Sequence, residues 1–157
     1  MATRNDTGGV VLDDVSKRII EQLQEDGRRA YVTIGKAVGL SEAAVRQRVQ
    51  RLIESGVMQI VAVTDPLQLG FAREAMVGVK VEGDLTEVTA AMAGMDQVTY
   101  VVATAGGFDV LAEVVCGDDE DLLELVNGRI RALPGVRTTE TFVYLKLFKQ
   151  HYNWGTR

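Results

Sequence analysis

Apolar residues recur at helical spacing in three stretches before residue 57. In the first stretch, which ends at Gly27, the recurring residues are Leu12, Val15, Ile19, Ile20 and Leu23. The second stretch runs from Thr33 to Gly39, and the third runs from Ser41 to Gly56. Threonine and serine are favoured as N-caps, and glycine is favoured just past a helix end. The pattern predicts three helices, with a tight turn between the last two.

The third predicted helix has two different faces. Val45, Val49 and Leu52 form an apolar stripe that faces a core. The opposite side carries small, guanidinium and amide side chains, which are Ala43, Arg46, Gln47 and Gln50. Arginine and glutamine make paired hydrogen bonds to base edges, and small residues let a helix approach the major groove closely. These helices therefore predict a DNA-binding helix-turn-helix, in which Ser41 starts the recognition helix and contributes to selectivity.

Basic residues surround this helix pair. Between residues 28 and 51 they are Arg28, Arg29, Lys36, Arg46, Arg48 and Arg51, and six basic residues against Glu42 give a net charge of +5. All of them except Arg46 are candidates for phosphate contacts, which supply most of the affinity in DNA binding. An ordinary helical hairpin with a solvated polar face is the alternative interpretation.

Strand-like patterns follow the helices. Residues Val57 to Thr64 are mostly β-branched and apolar, which predicts a strand that Asp65-Pro66 terminates. We expect that strand to serve as a wing or to pair with its copy in a partner chain. We place a disordered N-terminus at residues 1–11, the DNA-binding domain at residues 12–64 and a linker at residues 65–71.

The second predicted domain covers residues 72–149 and precedes a polar tail, residues 150–157. Its predicted strands lie at Ala75–Val81, Val98–Thr104, Val110–Val115 and Val136–Phe148. Its first predicted helix begins at Asp84, and its buried stripe is Leu85, Val88, Met92 and Met95. Its second predicted helix begins at Asp118, and its buried stripe is Leu122, Val126, Ile130 and Leu133. The order strand, helix, strand, strand, helix, strand is that of a ferredoxin-like βαββαβ domain. The predicted fold class is therefore α+β.

Both helices of such a domain cover the same face of the sheet. In the last predicted strand, Phe142 and Tyr144 point to one side while Thr141 and Val143 point to the other, so both faces are largely apolar. A single copy would expose a large apolar patch, and we therefore expect a homodimer through the open sheet face. A symmetric dimer also suits a DNA target with two half-sites.

Charge is divided unevenly along the 157 residues, whose net charge is -5. Residues 1–64 hold nine basic and eight acidic residues, whereas residues 65–157 hold eight and fourteen. The division indicates a nucleic-acid module joined to an acidic module with another task. A single cysteine excludes an internal disulfide, a lone histidine cannot make a metal site, and we expect no cofactor. No apolar run is long enough for a membrane span, and residues 1–9 are too polar for a signal peptide, so the expected location is the cytoplasm.

As an ordered set, these motifs resemble the Lrp/AsnC (leucine-responsive regulator, feast/famine) family of bacterial and archaeal transcription factors. The residues that carry the resemblance are Leu12-Asp13-Asp14, Asp26-Gly27-Arg28, Val38-Gly39-Leu40-Ser41, Arg48-Val49-Gln50-Arg51-Leu52, Ser55-Gly56-Val57, the turn from Ala105 to Asp109, and Thr139-Glu140-Thr141. The resemblance spans residues 12–148 and implies a helix-turn-helix joined to an effector-sensing ferredoxin-like domain, in dimers and often octamers. It also implies that an amino acid or similar metabolite binds between subunits, near the turn that joins the second and third strands of the second domain.

The candidate effector residues lie in and around that turn, which we call the 105–109 turn. Backbone N–H groups of Gly106 and Gly107 suit a carboxylate, and the Asp109 carboxylate suits an α-ammonium group. The other candidates are Tyr100, Thr104, Ala105 and Phe108 as pocket walls, and Arg137, Thr139 and Glu140 from the last strand. The alternative is a plain hairpin turn whose glycines only satisfy backbone angles.

The leading functional hypothesis is a regulator, not an enzyme, that binds specific double-stranded DNA and responds to an amino acid. An architectural protein that wraps DNA with low selectivity is a second hypothesis. Decarboxylases of tetrapyrrole synthesis share the two-part architecture and give a third. That chemistry would need histidine and arginine in the second domain, whereas the only histidine is His151, in the tail.

Overall fold

The computed structural model describes residues 12–157, and the N-terminus expected to be disordered, residues 1–11, lies outside them. The chain forms two compact units. The helical unit contains residues 12–62 together with Lys149–Arg157, and the sheet unit contains Val63–Phe148. No helix in the described part of the chain is long and apolar enough to cross a membrane.

The helical unit contains α1 (Asp14–Glu25), α2 (Tyr31–Val38) and α3 (Glu42–Glu54). The side chains of Asp13 and Ser41 cap α1 and α3, and Gly39 ends α2 with a left-handed φ of 77°. The expectation that Thr33 caps α2 is wrong. The N-cap is Ala30, three residues earlier, because Tyr31 packs against the core and the Ala30 carbonyl accepts the first helical hydrogen bonds.

The core of the helical unit is formed by the predicted apolar stripes. Its buried residues are Ile19, Leu23, Ile34, Val38, Val45 and Val49. Burying a side chain of this size contributes about 1.5–3 kcal/mol, so these six residues supply much of the driving force for packing three short helices. Gly35 fits α2 closely against the following turn, because a Cβ there would lie 2.5 Å from the Leu40 carbonyl oxygen.

The predicted strand at residues 57–64 is not observed. This segment is irregular, and Ile60, Val61 and Val63 are exposed. A β-branched sequence forms a strand only where a neighbouring strand accepts and donates its hydrogen bonds, and no strand of the described chain pairs with this segment. A short 3₁₀ turn, Pro66–Leu69, follows and is capped by the Asp65 carboxylate.

The sheet unit confirms the predicted ferredoxin-like order. Its elements are β1 (Arg73–Val81), α4 (Leu85–Ala93), β2 (Val98–Ala103), β3 (Val110–Cys116), α5 (Asp119–Leu123) and β4 (Val136–Val143). The four strands form one antiparallel sheet in the order β2-β3-β1-β4. Side chains that alternate along the strands pack against the helices, and the fully buried ones include Ala75, Val77, Val79, Val110, Ala112 and Val114.

The last strand is shorter than predicted. It ends at Val143, and the Tyr144 backbone N–H makes one further hydrogen bond, to the Glu74 carbonyl. Among residues 12–157, β4 has one neighbour in the sheet, β1, which begins at Arg73, so the later residues have no strand beside them. Leu145 and Phe148, predicted to lie in the strand, are 96% and 86% exposed.

The second helix of the sheet unit continues from α5 as a π-helical segment, Glu124–Ile130. Leu125 is buried in the core beside the predicted Val126 and Ile130. The predicted stripe left out Leu125, although its position three residues after Leu122 places it on the same helical face as Leu122 and Val126.

Candidate DNA-binding face and candidate sensing turn

The outward face of α3 has the composition expected from the sequence. Ala43, Arg46, Gln47, Gln50 and Arg51 are exposed and line one shallow depression together with Glu54. Ser41 stands at its beginning, where its hydroxyl accepts the Ala44 N–H (3.3 Å). We call this surface the α3 face.

Two of the side chains on the α3 face are engaged by neighbours. The Arg46 guanidinium lies 2.7 Å from the Glu42 carboxylate and 5.3 Å from the centroid of the Tyr31 ring. Gln50 donates to the Glu54 carboxylate (2.8 Å). Gln47 is exposed and makes no side-chain hydrogen bond within the described chain, so its amide is the most available of the three. The cation–π contact with Tyr31 limits the directions in which Arg46 can point.

Arg48, predicted as a phosphate contact, lies on a different side of α3. It donates to the Asp13 carboxylate (2.7 Å) and to the Ser16 hydroxyl (3.0 Å), and so connects α3 to the beginning of α1. Hydrogen bonds from the Ser16 side chain and backbone, followed by the bond from Arg48, lower the pKa of Asp13 to about 2. Arg48 therefore has a clear structural role in the helical unit.

The low pKa of Asp13 predicts a pH dependence of stability. A carboxylate whose pKa is lower in the folded than in the unfolded chain stabilises the fold above the unfolded value, near 4, and this stabilisation is lost as pH falls towards about 2. We therefore expect the Tm of the helical unit to fall over this window. Asp13→Asn keeps an N-cap acceptor but loses the ionised group, so its Tm should vary less with pH, and Asp13→Ala should have the lowest Tm at pH 7. Thermal unfolding followed by circular dichroism between pH 2 and 7 measures this; equal pH profiles for parent and Asp13→Asn would contradict it.

The remaining predicted phosphate contacts differ in how they are held. Arg29 donates to Gln22 (2.6 Å) and pairs with Glu25 (3.0 Å). By contrast, Arg28, Lys36 and Arg51 are exposed and make no ion pair among residues 12–157. These three cations are therefore available to an external anion without breaking an internal contact.

The 105–109 turn is fixed to β1 by backbone and side-chain hydrogen bonds. The Asp109 N–H donates to the Val79 carbonyl, and the Asp109 carboxylate accepts from the Val81 N–H, each at 2.9 Å. The Lys80 ammonium lies 3.7 Å from the other carboxylate oxygen. The Thr104 hydroxyl donates to the Phe108 carbonyl (2.7 Å). Asp109 thus holds the turn in place through one oxygen and has a second oxygen near a cation.

The glycines of this turn are not required by the turn itself. Neither Gly106 nor Gly107 has a positive φ, and a Cβ on either would meet no atom within 4 Å. The alternative explanation, that these glycines only satisfy backbone angles, therefore fails for this conformation. Their backbone is exposed and open to close approach from outside the chain.

The other candidate effector residues are divided between the two faces of the sheet. The Phe108 ring covers Gly78 on the open face and makes an edge contact with Phe142, with centroids 6.1 Å apart. Glu140 pairs with Gly78 and so lies on the same face, whereas Thr139 pairs with the buried Val79 and faces the helices. The structure therefore groups Phe108 and Glu140 and separates Thr139 from them.

Two further candidates form no hydrogen bond or ion pair with the turn in the described part of the chain. Arg137 is exposed, with its guanidinium 3.8 Å from the Glu82 carboxylate. Tyr100 is half-exposed and pairs with Glu113, nearer the opposite end of β2 from the turn. Ala105 is exposed within the turn. The sequence did not predict the β1 residues that contact the turn, because only the strand register places them beside it. These residues are Gly78, Lys80 and Val81.

Comparisons with known proteins identify both parts of the chain. A family profile for the AsnC-type helix-turn-helix domain matches residues 12–53, and one for a C-terminal dimeric alpha+beta barrel domain of AsnC-type regulators matches residues 71–157. The HTH-type transcriptional regulator FL11 of Pyrococcus horikoshii is 34% identical over 143 residues, which are 90% of this chain and 94% of that protein. The proline dehydrogenase transcriptional activator of Rhizobium radiobacter is 33% identical, over 88% of this chain and 92% of its own length.

A solved structure supports the same assignment. The leucine response regulatory protein LrpA of Mycobacterium tuberculosis superposes with a TM-score of 0.79 and 27% identity, and the match covers 88% of this chain and 96% of that one. The named relatives are transcriptional regulators, and the helix-turn-helix profile covers all of α3 except its last residue. The chain belongs to the Lrp/AsnC family and is a transcriptional regulator of the Lrp/AsnC type with an N-terminal helix-turn-helix.

Proposed function

We propose that the protein is a sequence-specific, double-stranded-DNA-binding regulator whose assembly or DNA affinity responds to an amino acid. The observation that carries the DNA-binding part is the α3 face. It presents an unengaged amide at Gln47 and an ordered guanidinium at Arg46, beside small Ala43. These are the groups that read base edges in the major groove.

The cations of the helical unit divide into two sets in this proposal. Arg28, Lys36 and Arg51 are exposed and unpaired within residues 12–157, so they contact phosphates directly. Arg29 and Arg48 are already bonded to acidic or amide groups of α1 and its cap, so they act mainly by fixing the helices. Selection of duplexes from a random library by the purified protein tests the proposal, and recovery of one enriched motif with two half-sites is the expected result.

Self-association is the second part of the proposal. The face of the sheet opposite the helices carries Phe142 and Tyr100, which are 45% and 48% exposed. A second copy of the chain would cover these aromatic residues, and a two-fold dimer would present two α3 faces to half-sites about 34 Å apart. Higher even assemblies such as an octamer are compatible with this arrangement, and light scattering of the purified protein measures the assembly.

An amino-acid effector is the third part. The exposed backbone of Gly106 and Gly107 offers N–H groups to a carboxylate, and the Asp109 oxygen near Lys80 offers an acceptor for an ammonium group. The names of two relatives support this class of ligand, because one activates transcription for proline dehydrogenase and the other is a leucine response protein. We therefore propose that a free amino acid binds at the 105–109 turn.

Substitution of a turn glycine separates ligand binding from folding. Gly107→Leu adds a side chain where the structure has open space and no positive φ, so the Tm without ligand should stay within about 1 °C of the parent's. The parent should gain several degrees with one of the twenty amino acids, by the usual coupling of binding to unfolding, and the variant should gain none. Differential scanning fluorimetry measures both values.

Asp109→Ala is the less specific comparison, because it also removes the hydrogen bond to Val81 and should lower the Tm even without ligand. If no amino acid shifts the parent's Tm, the effector proposal fails. If Gly107→Leu responds like the parent, the ligand binds elsewhere.

A further inference from the structure

The C-terminal tail, residues 149–157, belongs to the helical unit and contacts α1. The Gly155 backbone N–H donates to Gln24 Oε1 (3.1 Å), and Gln24 Nε2 donates to the Gly155 carbonyl (3.5 Å). The Thr156 hydroxyl donates to Glu21 Oε1. The Gln24 side chain thus bonds to both the N–H and the carbonyl of Gly155. The Glu21 carboxylate, three residues earlier on α1, accepts from the hydroxyl of the next tail residue, Thr156.

The docked part of the tail is short. Gly155 and Thr156 are partly buried, whereas residues 149–154 are exposed. Gly155 has a φ of 73°, a left-handed conformation that glycine adopts without the steric cost paid by other residues. Specific contacts at two residues, and not general burial of the tail, therefore hold the chain end on α1.

The tail also gives the chain a second passage between the two units. The chain leaves the helical unit after Ala62, completes the sheet unit and re-enters the helical unit at Lys149. Residues 144–148 alone separate the end of β4 from that point. The first passage, residues 57–65, contains neither helix nor strand. Within residues 12–157, an undocked tail would leave this irregular segment as the one stretch of chain that ties the helical unit to the sheet unit.

We propose that the face of α1 formed by Glu21 and Gln24 is a docking site for the chain's own C-terminal tail, and that the docked tail restrains the DNA-binding unit. This inference rests on the proposed DNA-binding function. In a dimer, a restrained unit keeps the second recognition helix close to its half-site once the first has bound, which raises its effective concentration there. Release of the tail weakens binding to two half-sites and leaves binding to one half-site unchanged.

The sole tryptophan makes docking measurable in the full-length protein. Because Trp154 lies in the tail, tryptophan fluorescence anisotropy reports on that segment alone. Gln24→Ala removes both contacts with Gly155, and we expect it to lower the anisotropy. Gln22→Ala is the matched control, since Gln22 lies on the same helix and accepts from Arg29. Gly155→Ala disfavours the docked conformation without altering α1, so it should lower the anisotropy as well.

Binding is then measured with the duplex that the parent selects from a random library, and with the same duplex cut to one half-site. Gln24→Ala and Gly155→Ala should bind the complete duplex about fivefold more weakly and the half-site as the parent does, with Gln22→Ala unchanged on both. Parental anisotropy in both tail variants would overturn docking. If these two variants had lower anisotropy but bound the complete duplex as tightly as the parent, the docked tail would not restrain the DNA-binding unit. A parent that binds no duplex would overturn the DNA-binding proposal and the restraint with it, while the anisotropy would still decide whether the tail docks.

Discussion

Replacing Gly35 by alanine is expected to abolish DNA binding at micromolar protein concentration. A Cβ at this position would lie 2.5 Å from the Leu40 carbonyl oxygen, far inside van der Waals contact. The obstructing atom belongs to the backbone of the turn between α2 and α3, and the Leu40 N–H also donates to the Gly35 carbonyl (2.9 Å). The turn cannot move away without changing the angle between the two helices. We expect a loss of about 3 kcal/mol in the free energy of unfolding of the helical unit.

Gly39→Ala is the matched control for that prediction. Gly39 lies in the same turn and has a φ of 77°, but a Cβ there would meet no atom within 4 Å. The control should therefore cost only the strain of a left-handed alanine, about 1 kcal/mol, and should keep most of the DNA affinity. Calorimetric unfolding and fluorescence anisotropy of a labelled duplex measure the two effects. If the two variants lost equal stability and equal DNA affinity, the close approach of α2 to the turn would not be the reason that residue 35 must be glycine.

The fold could be predicted from the sequence wherever a local pattern specifies an element. Caps at Ser41, Asp84 and Asp118 were recognised because their side chains act on backbone groups two or three residues away. The predicted strand at residues 57–64 is absent because strand formation depends on a neighbour that a local pattern does not reveal. The early end of β4 at Val143 also depends on a neighbour, because an edge strand can extend only as far as the strand it pairs with, here β1.

The two candidate sites also differ in how far a local sequence pattern could predict them. Side chains of the α3 face all lie on one helix, so helical periodicity alone was enough to group them. The 105–109 turn is different, because its contacts with Gly78 and Val81 depend on the register between strands that are distant in sequence. Periodicity also could not reveal that Arg48 bonds to Asp13, 35 residues away, although both residues belong to motifs that carry the family resemblance.

Gln47→Ala should relax sequence preference, whereas Arg51→Ala should weaken binding to every duplex alike. Of the two glutamines on the α3 face, Gln47 is the one that no neighbour engages within residues 12–157, so its amide is available to a base edge. Its loss should cost about 1–3 kcal/mol on the preferred duplex and little on a scrambled one. Arg51 is exposed and unpaired in the same part of the chain. Loss of one phosphate contact should lower the slope of log K against log salt by about 1 for both duplexes.

Two controls make this comparison specific to the α3 face. Gln68→Ala removes an exposed glutamine that bonds to Asp65 in the sheet unit, and Arg131→Ala removes an exposed arginine that bonds to Asn127. Neither should change DNA affinity or its salt dependence, because both positions lie in the acidic part of the chain. If Gln47→Ala weakened both duplexes equally, Gln47 would be a backbone contact and not a base contact. If the parent itself bound both duplexes equally, low-selectivity wrapping of DNA would replace sequence-specific regulation as the explanation of the α3 face.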